Sequence, residues 1–346
     1  MAGHAYIGSF TSAGGRGLTA AGVDPDTGAL SALGHIADVP NPSFLTASAD
    51  GRTLYTVSET APQGAAAAFS LADPAAPRLL GAPVPVHGGE PTHLALHQGH
   101  LVTANYSAPG SVSVLAVNAD GSLGDLRSVL EHEGDGPNRD RQEGPHAHAV
   151  LPDPTGRWLL SADLGTDSVR VCELDPAGGE LEIERELGLR SGIGPRHLTF
   201  HPGGAHCYVM NELDSVVTVC SFDADKGSLR PLDEVRVLPE GFTGENYPSE
   251  LVVSRDGRYA WAANRGHDSI AVLRVDETGE RLELIETVGC GGRWPRHLTL
   301  DPSGTRLYAA NQNSGDVTWF QVDPATGIPS QAGSIVAPAA SCVLFV

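Results

Sequence analysis

The sequence predicts an all-β protein, a seven-bladed β-propeller with four antiparallel strands per blade, spanning 1–346 as a single domain. Three observations predict it. One short motif returns seven times at nearly even spacing. Each interval holds four short strand patterns separated by turn formers. The chain also closes on a lone strand that would complete the blade its opening segment begins.

The recurring motif starts aromatic or aliphatic and ends, three residues on, in Asn, Asp or Ser. It reads Tyr6-Ile-Gly-Ser9, Tyr55-Thr-Val-Ser58, Val102-Thr-Ala-Asn105, Leu160-Ser-Ala-Asp163, Tyr208-Val-Met-Asn211, Trp261-Ala-Ala-Asn264 and Tyr308-Ala-Ala-Asn311. The last residues lie 49, 47, 58, 48, 53 and 47 apart. A β-rich run follows, such as Ser168-Val-Arg-Val-Cys172 or Ser269-Ile-Ala-Val-Leu273. Next comes a turn rich in Asp and Gly, as in Asp24-Pro-Asp-Thr-Gly28 and Asp323-Pro-Ala-Thr-Gly327. Ahead of each motif after the first stands a Pro, a short apolar strand and a Gly turn, as in Pro295-Arg-His-Leu-Thr-Leu-Asp-Pro-Ser-Gly304. Four strands in ~50 residues make a propeller blade. Length alone would suggest two domains of ~150 residues, but a propeller closes all its blades around one channel. The terminal run Pro338-Ala-Ala-Ser-Cys-Val-Leu-Phe-Val346 reads as the missing inner strand of the first blade, which leaves no open edge.

Composition narrows the function. A net charge of −20 argues against nucleic acid and anionic membranes as partners. No apolar run reaches the ~20 residues of a membrane helix, and the opening residues lack the pattern of an export signal. The five cysteines form no CxxC pair, which fits reduced thiols in a cytoplasmic protein without structural zinc. Neither a Gly-x-Ser-x-Gly elbow nor a phosphate-binding Gly-Lys-Ser/Thr loop is present.

The first two strands of a blade are antiparallel, so the start of one and the end of the other meet at the same channel mouth. Aligning the copies on their turns gives three rings there. The first is Ser43, Thr92, His148, Arg196, Ser249, Arg296 and Ala339; the second is Phe44, His93, Ala149, His197, Glu250, His297 and Ala340. The third is Phe10, Glu59, Tyr106, Leu164, Glu212, Arg265 and Gln312. Arginines gathered at one mouth of a strongly acidic protein point to an anionic ligand, because guanidinium forks match carboxylate and phosphate oxygens. His and Glu beside them supply acid/base capacity. Mutual ion pairing is the competing reading.

The long spacing places its surplus at an insert loop, 131–145, that arrives at the same mouth and offers Arg139, Arg141 and Gln142 to a ligand. His146 and His148 have alternate spacing, which on a regular strand puts both imidazoles on one face, and a metal held by both with His197 or Glu212 is a further alternative. Six other histidines, His35, His87, His97, His100, His206 and His267, read as surface residues at turns and strand ends.

The segments Arg141-Gln-Glu-Gly-Pro-His-Ala-His148, Gly194-Pro-Arg-His-Leu-Thr-Phe-His-Pro202, Asn211-Glu212, Asn264-Arg-Gly-His-Asp-Ser-Ile270, Pro295-Arg-His297 and Asn311-Gln312 together resemble the propeller-type lactonases. That family includes bacterial 6-phosphogluconolactonases and a fungal carboxymuconate lactonizing enzyme. The resemblance runs from Tyr6 to Phe345. It implies seven blades, chemistry at the channel mouth, no metal and no cofactor, and functional positions at His148, Arg196, Glu212 and Arg265. The expected catalytic residues are thus His148, Arg196 and Glu212, with His148 moving the proton. The expected substrate contacts are Arg141, Gln142, His146, His197, Glu250, Arg265, Arg296, His297 and Gln312. The expected partner is a small anionic lactone, most specifically 6-phosphoglucono-δ-lactone of the pentose phosphate pathway, acted on by a monomer or weak homo-oligomer. A carboxymuconate-type cycloisomerase and a non-catalytic binding propeller are the alternatives.

Overall fold

A computed structural model describes residues 3–107 and 109–346. Seven antiparallel sheets surround one channel. Blade 1 is built from both ends of the chain, in the order Ala340–Phe345, Gly3–Ser9, Leu18–Val23, Leu30–Ile36. The inner strands of blades 2 to 7 are Leu45–Ala47, Pro91–His97, Ala147–Pro152, Pro195–Phe200, Tyr247–Val253 and Pro295–Leu300. Each inner strand touches the next, and Pro295–Leu300 touches Ala340–Phe345, which in turn touches Leu45–Ala47. Blade 2 departs from four strands: its outer edge is split into Arg78–Leu79 and Val84–Pro85, both paired to Ala65–Ser70. Pro77, Pro83 and Pro85 lack the N–H a continuous edge strand would use. The 3₁₀ turn Thr11–Ala13 is the one helical element among the described residues.

The recurring motif is the second strand of each blade, buried on both faces. In His206–Asn211, Tyr208 and Met210 pack toward blade 6, while Cys207 and Val209 pack toward blade 4. Period-2 alternation therefore puts apolar groups on both sides, and hydrophobic layers between blades form the core. The leading aromatic also carries a polar tip that reaches a turn in the next blade. Tyr6 Oη donates to Pro74 O at 3.0 Å, Tyr55 Oη to Gly121 O at 2.9 Å and Tyr208 Oη to Gly279 O at 2.9 Å. Trp261 Nε1 likewise donates to Gly327 O at 2.8 Å. Tyr308 Oη donates to Gly28 O at 2.7 Å, joining blade 7 to blade 1. Gly28 is required there, since its φ is +71° and a Cβ would lie 2.5 Å from that hydroxyl.

Candidate functional site

Inner-strand bulges aim the site into the channel. In blade 4 the pairing skips from Ala147 to Ala149, in blade 5 from Pro195 to His197, and in blade 7 from Pro295 to His297. The skipped residues, His148, Arg196 and Arg296, are freed from the ladder and line the channel. Three inner strands that bulge this way begin with a proline that cannot donate, Pro91, Pro195 and Pro295. Blade 1 corrects the expected ring. Ser9 pairs with Ala340 and Gly8 with Cys342, so Ser341 takes the place assigned to Ala339, and Cys342 that assigned to Ala340. No Gly turn joins Ala340–Phe345 to its partner strand Gly3–Ser9 to set the register.

The mouth is organised around Glu212. Its Oε1 accepts from Arg141 Nη2 at 2.5 Å, and its Oε2 from Arg265 Nη2 at 2.5 Å. Arg196 Nε lies 3.0 Å from the same Oε2, a close ion contact poorly aligned for a hydrogen bond. Arg265 is steadied by Tyr247 O at 2.8 Å, and Arg196 Nη1 donates to Ser249 O. Burial would raise the Glu212 carboxyl, but Arg265, Arg196 and Arg141 outweigh it and bring it down to about 2. Three guanidinium groups on one carboxylate leave an excess of positive charge in a buried place. Burial and the neighbouring Arg265 and Arg296 lower Arg196 to about 9. Arg296 stands apart, 3.5 Å from Glu59 Oε1 and over the Phe10 ring at 4.8 Å. Burial raises the Glu59 carboxyl against the pull of Arg296.

His148 lies between these groups and faces a mouth cavity of ≈170 Å³, lined also by Glu90, Thr92, Tyr106, Arg141 and Arg265. Burial, then Arg196, Arg296 and Arg265, hold its imidazole well below the usual histidine range. It is therefore a neutral ring, able to accept a proton. Glu212 is not: a carboxylate locked by three arginines orients them and cannot share in proton transfer, as the sequence reading had allowed.

His197, Glu250 and His297 are not at the open mouth. They form a tight neck beneath it with Phe44 and His93, around a cavity of ≈10 Å³. Phe44 and His93 lie 4.0 Å apart by ring centroids, and His93 and His197 5.0 Å apart. His197 and His297 resume the strand pairing that the bulge interrupts, whereas in blade 6 pairing resumes only at Leu251, one residue after Glu250. None of the three lines the mouth cavity that His148 faces.

The insert loop delivers only one of its candidates. Arg141 reaches Glu212, while Arg139 pairs with Asp135 in solvent. Gln142 is buried inside the loop, donating to Leu164 O at 2.9 Å and Asp167 Oδ1 at 2.7 Å. His132 Nδ1 lies 2.6 Å from Asp163 Oδ2, and Arg170 Nη1 lies 3.3 Å from that oxygen, so the loop is fastened at its start. His146 does not share a face with His148, since the bulge breaks the alternation. Its Nδ1 sits 2.8 Å from Tyr106 O, its Nε2 3.2 Å from Glu143, and its ring stacks on Tyr106. Gln312 is peripheral, with Oε1 3.5 Å from Arg296 Nη1.

His97, His100 and His206 are buried, contrary to their surface reading. His100 and His206 tuck against Gly179 and Gly279 in the turns of the following blades, a contact between blades that spacing cannot reveal. The sequence reading also missed Glu90 and Trp294. Both directly precede the proline of an inner strand and take left-handed φ, +49° and +65°, which turns them toward the rim. Trp294 lies under Arg265 at 5.6 Å.

Larger clefts lie elsewhere, ≈300 Å³ beneath blades 6 and 7 and ≈460 Å³ beside the outer part of blade 4. Neither gathers buried arginines around a neutral histidine. Among the described residues no group of three or more His, Cys, Asp or Glu is placed to hold a metal, and no helix is long and apolar enough to cross a membrane.

Residues 4–345 match the family described as lactonase, 7-bladed beta-propeller. A 6-phosphogluconolactonase of Bacillus subtilis is 32% identical over 343 residues, covering 98% of this chain and 97% of its own. A structure of a periplasmic gluconolactonase of Pseudomonas aeruginosa superposes with a TM-score of 0.94 at 30% identity, covering 100% of this chain and 99% of that one. A putative 6-phosphogluconolactonase of Bacteroides fragilis superposes at 0.92 with 29% identity, covering 100% and 98%.

Proposed function

The chain belongs to the seven-bladed β-propeller lactonases, and on that premise we propose that it hydrolyses an anionic sugar δ-lactone, 6-phosphoglucono-δ-lactone first among them. The product would be 6-phosphogluconate, a reading under which the enzyme would serve the oxidative pentose phosphate pathway. The observation that carries this reading is the mouth itself: one carboxylate held by Arg141, Arg196 and Arg265, with neutral His148 beside them.

A δ-lactone needs an activated water and a stabilised oxyanion. His148 accepts the proton of the water as its oxygen attacks the carbonyl carbon. Arg196, held by Glu212 and Ser249 O, receives the negative charge that develops on the carbonyl oxygen, and losing one such donor costs roughly 2.7–4 kcal/mol in other enzymes. Collapse breaks the ring C–O bond, His148 returns its proton to the leaving alkoxide, and the new carboxylic acid ionises to solvent. Arg296, further round the mouth and only loosely paired to Glu59, is free to grip a phosphate. Arg141 can close over the ligand from the insert loop. Each arginine is already oriented, so little reorganisation is needed when the charge forms.

The named relatives include both phosphorylated and unphosphorylated lactone hydrolases by name. The test is hydrolysis of 6-phosphoglucono-δ-lactone and glucono-δ-lactone by the purified protein, each measured above its spontaneous rate. Faster turnover of the phosphorylated compound supports the reading. Preference for the unphosphorylated one removes the phosphate from it, and loss of a muconate chromophore with no lactone hydrolysis would favour the cycloisomerase. The five buried cysteines, none in a disulfide, support a reducing, cytoplasmic compartment.

A further inference from the structure

We infer that the neck below the mouth is a proton relay, in which one water joins His148 Nδ1 to His197 and Glu250 receives the proton from His197. The inference deepens the lactonase reading and rests on it for the reaction that the relay serves.

The geometry comes first. The neck cavity measures ≈10 Å³, about the least space that holds one water. A buried water also needs two to four polar partners. His148, Arg196, His197 and Ser341 line this cavity, and each presents enclosed polar atoms without a hydrogen-bond partner in the protein: His148 Nδ1, Arg196 Nε, both ring nitrogens of His197 and Ser341 Oγ. Such atoms are costly unless water satisfies them. His197 Nδ1 lies 2.7 Å from Glu250 Oε1, a close contact not aligned for a hydrogen bond until the ring or the carboxyl turns, and its Nε2 is left for the water. His297 Nε2 lies 3.7 Å from the other carboxylate oxygen, and Glu250 Oε1 also accepts from Leu251 N at 3.2 Å.

The chemistry requires an outlet. An imidazolium at His148 would sit among Arg196, Arg296 and Arg265 with no carboxylate of its own. As the attacking water gives its proton to Nε2, the Nδ1 proton passes to the neck water. The water gives a proton to His197 Nε2, and His197 gives its Nδ1 proton to the Glu250 carboxylate. One proton has moved, no atom is oxidised, and His148 is neutral again. When the ring C–O bond breaks, the chain runs in reverse and delivers the proton to the alkoxide. The proton of the new carboxylic acid leaves to solvent.

Glu250 suits the last place in the relay. Burial raises its carboxyl to about 7, against the opposing pull of His297, Arg196 and the Leu251 N–H. It is faced by His197 and His297 from the flanking blades, by Arg196 near the mouth, and by Cys342 of blade 1. His197 is held down to about 3 by burial and Arg196, so it passes a proton on without keeping it. His197 and Glu250 act through His148 and touch no substrate.

Two measurements on the full chain test the relay. The first needs no turnover: carbon-13 carboxyl spectra of glutamate-labelled protein, with a high-resolution crystal structure. One glutamate titrating near neutrality, absent in Glu250→Gln, and a neck water touching His148 and His197 are expected. A Glu250 ionised throughout, or a dry neck, overturns the inference. The second is the pH profile of lactone hydrolysis. Glu250→Gln is expected to lower kcat about tenfold or more and remove the limb near neutrality, with KM within about twofold. Glu250→Asp should restore part of that limb. A Glu250→Gln profile that overlays the wild type overturns the relay. If that variant does not fold, His197→Asn takes its place with the same expected loss. Wild-type protein that hydrolyses no lactone sinks the functional reading, and the spectra and structure then judge the neck water and the protonation of Glu250 by themselves.

Discussion

Glu212 and Glu250 are both buried, and they come from neighbouring blades of one channel. Their carboxyls nevertheless move in opposite directions, to about 2 and to about 7. Glu212 faces three guanidinium groups that keep their charge at neutral pH. Glu250 faces imidazoles that burial keeps neutral, His197 at about 3 and His297 at about 4. Burial disfavours the charged form in both places, and the permanence of the neighbouring charge decides the outcome. The mouth is thus a fixed electrostatic cradle, while the neck is a set of groups able to exchange protons.

The largest expected effect falls on His148, which belongs to both regions. His148→Ala should lower kcat by about 10²–10⁴-fold in a folded protein, and wild-type kcat in that variant would break the assignment. Next is a stability contrast. Glu212→Gln leaves the buried Arg196 and Arg265, and the partly exposed Arg141, without their counter-charge and should cost about 3–5 kcal/mol in denaturant unfolding at neutral pH. Glu250→Gln should cost no more than about 1 kcal/mol there. Equal losses would erase the difference between the regions.

The pH dependence sharpens the comparison. Glu250 has a raised carboxyl, so its contribution to stability is fully present below about 4.5 and is lost as pH rises through about 7. Wild type measured against Glu250→Gln should therefore lose about 3 kcal/mol across that window. Glu212 is depressed, so its contribution is present above about 4.5 and is lost as pH falls through about 2. Wild type against Glu212→Gln should stay level where the other pair slopes, and paired denaturant titrations read both. The smallest expected effect is Arg296→Ala. It should raise KM about tenfold for a phosphorylated lactone, with a smaller change for the unphosphorylated one and kcat held. Equal changes for both substrates would place the phosphate elsewhere in the mouth.

Much of this was legible in the residues. The repeat with its turns fixes seven blades, because period-2 strands buried on both faces must stack against copies of themselves. The ring alignment also places His148, Arg196, Arg296, Glu212 and Arg265 at one mouth. It fails in blade 1, where the strand end has no turn to count from. It also fails for His146, because a bulge of one residue reverses which side chains share a face. Gln142 looked available because a polar loop residue gives no sign in sequence of being folded inward.

By itself, the sequence determined architecture: strand period, turn chemistry and repeat length are local properties, and they leave one closed arrangement. It also determined that arginines and histidines share an end of the channel. Only the tertiary structure decided what those groups are. The rings touch across blades about 50 residues apart, where local pattern carries no information. Whether a carboxylate is a locked counter-ion or a proton acceptor depends on which side chains meet it within a few ångströms. Glu212 meets Arg141, Arg196 and Arg265, and Glu250 meets His197 and His297. That difference is set by bulges and channel depth, since Coulomb interactions and desolvation depend on distance and burial, not on position along the chain.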